Sequence, residues 1–264
     1  MNQDQLDRFK RWFDGHTDRF FGDDDYVNAN LKLKQEHTKR TCQEIVLLAQ
    51  ELAWNDHDTR IAELIALFHD IGRFSQFVQY RTYNDLKSVD HSQLGVEVLR
   101  QEGILDVLTP RERQWVETAV GLHGRKSLPS ALTGRALLFA KIIRDADKID
   151  IFRVVTNYYR QYLEDPDSFI LGIGLPDEPG YSPKVLEAVL QEEPIDSTEL
   201  RNLNDAKLCQ LGWVYDLNFT ASLRRIDQCA FLPELFSFLP QDEGIQRLCR
   251  KIRQFVDDKL TPAS

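Results

Sequence analysis

Only six histidines occur in the chain, His16, His37, His57, His69, His91 and His123, and four of them sit where apolar helix faces would pack. His69 closes the run IAELIALF, with Ala62, Ile65 and Ala66 one or two turns before it on its own face. His91 shares a face with Leu94 and Val98, His123 lies below Val116, Ala119 and Val120, and His37 opens a helix carrying Ile45, Leu48 and Leu52. One histidine on an apolar face is ordinarily a core residue with satisfied nitrogens. Four on separate helices point instead to a shared ligand. Imidazole and carboxylate together suit Mn, Fe, Co, Ni or Zn, and helical bundles build such centres by aiming side chains inward. Asp70 supplies a carboxylate beside His69, and Arg144-Asp145-Ala146-Asp147-Lys148 offers more. Burying such a group unpaired is costly, which favours a cation beside it. Asp145 and Asp147 point roughly 200° apart on a helix, so only one can face a given site.

The elements that must position these residues read as helices throughout. From Thr41, Cys42, Ile45, Val46, Ala49, Leu52 and Ala53 recur at three- and four-residue steps and lay one stripe along a helix. The next helix has Asp56 or Asp58 as its N-cap candidates, and IAELIALF is apolar around most of its circumference, which predicts a central position. A polar loop runs to Asp90, and the helix from His91 to Glu102 stops at Gly103. Thr109-Pro110-Arg111-Glu112 combines a capping box with proline at the first helical position. Arg135 to Val155 reads as a further buried helix, Asp165 to Pro183 as a proline-rich irregular connection, and Pro183–Gln191, Ser197–Gln228 and Glu243–Lys259 as helical again. Alternating strand patterns are nearly absent, so the fold class is all-α.

At these residues the chain resembles a family. His37, then His69-Asp70 ending an apolar helix, then Asp147 in Ala-Asp-Lys-Ile, is similar to the H…HD…D pattern of the HD-domain metal-dependent phosphohydrolase superfamily. The longer stretches FHDIGRFSQF, DHSQLGVEVL, GLHG and RDADKIDIFRV resemble an uncharacterised bacterial branch of it, over roughly Glu36 to Val155. A second His-Asp pair, His57-Asp58, lies in the polar stretch NDHDTR, where capping and solvent account for it. The resemblance implies an HD-domain helical bundle with additional C-terminal helices: residues 1–30 an N-terminal extension, 31–160 the metal-binding core, and 161–264 a region on that core with no independent domain. It implies that His37, His69, Asp70 and Asp147 hold one divalent ion, and that His91 and His123 hold a second bridged by Asp70. Mn, Fe, Co, Ni and Zn are the candidates, with Mg a further one. Asp147 is the residue chosen by the Ala-Asp-Lys-Ile setting, with Asp145 left as a supporting or surface residue. Some dinuclear members carry adjacent histidines where this chain has His123-Gly124.

The implied activity is hydrolysis of a phosphoester in a nucleotide or related small phosphorylated metabolite, by a water that the metal activates and Asp70 orients. Arg73 and Lys148 are the cations expected to act on the substrate phosphate, with Arg125 and Lys126 beside them. An HD-type di-iron oxygenase and a non-catalytic, metal-stabilised binding protein are the alternatives. Composition narrows the partners. With 33 Lys+Arg against 42 Asp+Glu in 264 residues the net charge is −9, and no basic run suits a nucleic-acid polymer. Four cysteines form no C-x-x-C pair, the first 25 residues are too charged for a signal peptide, and no apolar run is long enough to span a membrane. A cytoplasmic protein without a membrane partner is expected. The aromatic stretch Trp213–Phe219 is read first as core packing, with a cover over the pocket or a homodimer interface as alternatives.

Overall fold

A computed structural model describes residues 1–165 and 175–261. Among them the regular elements are helices alone, and no strand occurs. The chain divides into two compact units, Met1–Asp150 and Ile151–Ser264. The division falls inside one helix, earlier than the boundary expected after residue 160, and residues 1–30 belong to the first unit.

The first unit contains α1 (Gln3–Asp18), α2 (Asp25–Glu51), α3 (Asp56–Phe68), α4 (Gly72–Tyr80), α5 (His91–Gln101), α6 (Pro110–Leu122) and the first half of α7 (Gly134–Glu164). Its centre is α3, as the all-round apolar run requires: Ile61, Ala62, Leu64, Ile65, Ala66 and Phe68 are fully buried. Phe9 and Trp12 of α1 meet the Phe68 ring edge-on, and Trp54 meets Phe139 of α7 in the same way. These large apolar surfaces supply most of the driving force that holds the helices in register. Thr109 forms its capping box, accepting from the Glu112 amide while Glu112 accepts from the Thr109 amide at 2.9 Å.

Several boundaries differ from the sequence expectation. The second helix starts at Asp25, capped by Asp24, so His37 lies in its middle and does not open it. The periodicity of its first half is diluted by buried polar residues, Asn30 and Gln35 among them, which hides it from a hydrophobic count. Asn55, in place of Asp56 or Asp58, caps α3. The helix expected to end at Val155 continues to Glu164.

The second unit holds the rest of α7 with α8 (Pro183–Leu190), α9 (Leu203–Gly212), α10 (Thr220–Gln228), α11 (Phe231–Ser237) and α12 (Glu243–Leu260). The stretch expected to be helical over Ser197–Gln228 is helical in pieces. Asn202 caps α9, a 3-10 turn occupies Trp213–Asp216, and Phe219 is extended ahead of α10. The aromatic stretch packs within this unit, Trp213 edge-on to Phe152 and Tyr215 against Phe255, with Val214 fully buried. Of the proline-rich connection, Pro166 and its neighbours to residue 174 lie outside the described residues, and 175–182 carries no helix. No described helix is long and apolar enough to cross a membrane.

Candidate metal centre

Four histidines reach one point from four helices by two different devices. His69 and His123 are the C-caps of α3 and α6, and each donates its Nδ1–H to the carbonyl three residues back, Ala66 and Val120, both at 2.7 Å. Each ring thereby satisfies a carbonyl left open at its helix end, and the proton on Nδ1 leaves the Nε2 lone pair facing inward. His37 and His91 are oriented by carboxylates instead. His37 Nδ1 donates to Asp150 Oδ2 at 2.7 Å, and His91 Nδ1 donates to Asp85 Oδ2 at 2.6 Å. Each orienting carboxylate is itself held by an arginine, Arg40 on Asp150 at 2.7 and 3.0 Å and Arg73 on Asp85 at 2.8 Å.

The inward nitrogens form two pairs. His37 and His69 bring their Nε2 atoms to 3.2 Å, and His91 and His123 bring theirs to 3.0 Å. Asp70 stands between the pairs and divides its oxygens: Oδ2 faces His37 at 3.7 Å and His69 at 3.6 Å, while Oδ1 faces His91 at 3.5 Å and His123 at 3.6 Å. Asp147 Oδ1 completes the first group, 3.0 Å from His37 Nε2 and 3.6 Å from His69 Nε2. Nitrogens that bind one ion at about 2.1 Å with angles of 90–109° lie about 3.0–3.4 Å apart. The two pairs have that spacing, so the donor set fits divalent ions held as neighbours with Asp70 in common. Nitrogen and carboxylate donors of this kind suit the transition metals better than Mg.

Burial makes the arrangement meaningful. His69 is fully buried, and His37, Asp70, His91 and His123 nearly so. Burial opposes the charged form of Asp70, but Lys34, His69, His123 and Arg73 outweigh it and hold its carboxyl well below the usual range. Asp147 is held down in the same way by His37 and His69. Burial pulls the His37 imidazolium down, yet Asp147 and Asp150 reverse the sign and raise it. Burial drops His91 to about 4 in spite of Asp85.

Two glycines set the spacing. A Cβ on Gly72 would lie 2.3 Å from the His91 carbonyl oxygen and 2.7 Å from the Gly95 nitrogen, so only glycine lets the start of α4 touch the start of α5. A Cβ on Gly124 would lie 2.8 Å from Ser92 Oγ and 3.1 Å from His91 Cε1, so a bulkier residue after His123 collides with the site.

Residues 35–151 match the family described as HD domain. This segment is an HD domain. Comparison with curated proteins and with solved structures gave no significant match. The HD domain therefore contains all six residues singled out as metal ligands, His37, His69, Asp70, His91, His123 and Asp147, and the fold brings them together.

The expected phosphate-binding cations are placed differently. Arg73 Nη1 already donates to Gln76 Oε1, the Tyr83 carbonyl and Asp85 Oδ1, with Nε 3.5 Å from Asp70 Oδ1, so this side chain braces the centre from within. Arg125 and Lys126 lie on the exposed turn after His123, and Lys148 is half-buried beside Asp147. Asp145 is fully buried, which rules out a surface position. His57-Asp58 belongs to a separate network, with the partly exposed His57 on Glu112 at 2.8 Å and the buried Asp58 on Arg135 at 2.7 Å.

Sequence reasoning missed Lys34, whose Nζ lies 2.8 Å from Asp70 Oδ2 above the Tyr83 ring. It also missed Arg40, Asp85, Asp150 and Arg144. The buried Arg144 donates to the carbonyls of His123, Arg125 and Lys126 and so pins the end of α6. The available signal was helical spacing: Lys34 and Arg40 stand three residues either side of His37, and Asp150 stands three beyond Asp147.

Proposed function

We propose that this HD-domain protein is a phosphohydrolase that cleaves a phosphoester of a nucleotide or related small phosphorylated metabolite with metal-activated water. The observation that carries the reading is the division of the Asp70 oxygens between two imidazole pairs, each pair spaced to hold one divalent ion. When bound, such ions supply an acidified water and counter-charge for phosphoryl oxygens.

The remaining work belongs to the chain. Asp70 spans the two half-sites and accepts a hydrogen bond from the attacking water, orienting it between them. Arg73 acts through Asp70 and Asp85, holding both carboxylates in place. Lys148 beside Asp147, and Arg125 and Lys126 on the turn after His123, bring positive charge to the phosphate. Lys34, on the same oxygen of Asp70 as the first half-site, adds an ammonium. An acidic chain can receive a phosphate at such a point because the positive centre is local.

The test is metal analysis of purified protein coupled to phosphate release from paired substrates, a nucleoside monophosphate and a cyclic dinucleotide, which separates monoesterase from diesterase. Asp70→Ala is expected to abolish metal-dependent turnover while the helical circular dichroism persists. Full activity after metal removal overturns the proposal, and dioxygen uptake without phosphate release moves the assignment to the oxygenase reading.

A further inference from the structure

The two half-sites are built to one plan. Each pairs a histidine oriented by a carboxylate and an arginine (Arg40–Asp150–His37, Arg73–Asp85–His91) with a histidine oriented by its own helix end (His69, His123). Each also has a cation on its side of Asp70, Lys34 on Oδ2 and Arg73 on Oδ1.

Two differences break the repetition. The first half-site has Asp147 as an additional carboxylate, whereas the inward Nε2 pair of the second, His91 and His123, is grouped with Asp70; Asp85 and Asp90 form a separate group with His91, with Asp85 on its Nδ1. The orienting carboxylates also differ in setting. Asp150 is fully buried on α7, but Asp85 sits on a short 3-10 turn, Asp85–Lys87, between α4 and α5, with its side chain about a third exposed at 35%. What holds that turn is local: Arg73, Gln76 and the hydrogen bonds of Gln76 to Ser88 Oγ and the Val89 carbonyl.

We propose that Asp85 is the positioning residue of the second half-site, and that this half-site fills after the first and empties before it because its orientation depends on the Asp85–Lys87 turn. The proposal rests on the two-ion reading above. With one carboxylate fewer, the second ion gains less Coulombic stabilisation, since the cations on the two Asp70 oxygens offset one another. A ligand histidine that loses the acceptor for its other ring nitrogen loses both its orientation and its basicity, which typically weakens metal affinity by about 10–100-fold. Among the four ligand histidines Asp85 does this for His91 alone, so its loss falls chiefly on the ion that His91 holds.

The experiment is a Mn(II) titration of the chelator-stripped full chain, followed by calorimetry and by electron paramagnetic resonance, which distinguishes an isolated Mn(II) from a coupled pair. Wild type is expected to show two sequential binding events, with the coupled spectrum at the second. In Asp85→Ala the first event stays within about twofold, the second weakens about 10–100-fold, and the spectrum at two equivalents remains that of isolated ions. Asp85→Glu restores the second event at least in part. Should Asp85→Ala lose its helical circular dichroism, Asp85→Asn carries the same test, keeping the shape and removing the charge. Wild type that takes up fewer than two ions overturns the two-ion reading itself. Two events in wild type with both retained, or both lost equally, in a folded Asp85 variant overturn the proposal alone.

Discussion

The close approach at Gly72 makes a sharp prediction about Gly72→Ala. The added methyl would stand 2.3 Å from the His91 carbonyl oxygen, 2.7 Å from the Gly95 nitrogen and 3.2 Å from its Cα, all backbone atoms that no side-chain rotation can move. Relief requires the starts of α4 and α5 to separate by about 1 Å, and overpacking of that kind costs about 1–3 kcal/mol, with this site at the upper end. At about 3 kcal/mol the melting temperature should fall by roughly 6–12 °C for a domain of this size. Because His91 is the first residue of α5, the same displacement moves its ring away from His123, so Mn(II) uptake should weaken as well. The control is Gly15→Ala in α1, where nothing lies within 4 Å of the added Cβ; helix propensity there should stabilise by up to about 1 kcal/mol. Thermal unfolding with and without chelator, and a Mn(II) titration, measure both effects. If Gly72→Ala melts with or above wild type and binds Mn(II) unchanged, the glycine is not required by that contact and the reasoning fails.

Three further outcomes follow from the centre. Saturation with a divalent ion at about 100 times its Kd should stabilise by about 2.7 kcal/mol; chelation should lower the melting temperature accordingly, and Asp70→Ala should show no such shift. Because burial lowers His91 to about 4 from an ordinary 6.5, the unfolded chain binds more protons between those values. Stability of the metal-free protein should therefore be fully present above about pH 6.5 and fall as pH drops toward 4, and denaturant titrations at several pH values should show a shallower slope in His91→Gln. Lys34→Met removes an ammonium 2.8 Å from Asp70 Oδ2. A cation so close opposes a divalent ion, so the variant should bind Mn(II) more tightly by about tenfold or more; unchanged or weaker binding in the titration would show that Lys34 does not compete.

The parts of this molecule visible in its sequence are those whose type is unusual for their surroundings. Imidazoles on apolar faces and a carboxylate after His69 are costly unless something gathers them, and these residues together with the family resemblance they carry picked out six that the fold brings together. The helix ends were legible for the same reason where chemistry is explicit, as at Thr109, and not where polar residues are buried inside a helix, as at Asn30 and Gln35 in α2. Lys34, Arg40, Arg73 and Arg144 are a different case. A long basic side chain is solvated in most settings, so its type carries little information, and only the partners it meets in the folded chain reveal that these four are turned inward. Arg73 shows the consequence: read as a phosphate clamp from its place one turn after Asp70, it is committed to Gln76, Tyr83 and Asp85. The His57-Asp58 pair makes the converse point. It has the same two side chains as His69-Asp70, yet His57 is 44% exposed and its acceptor is Glu112, because Asn55 starts a helix there whereas His69 ends one. A histidine at a helix C-cap spends Nδ1 on a carbonyl of its own helix and leaves Nε2 free for the centre, and this chain uses that geometry twice, at His69 and at His123. The metal-binding character of the pair thus resides in where the helix stops, and a dipeptide match acquires meaning only together with the apolar run before it and the glycine two residues after the Asp.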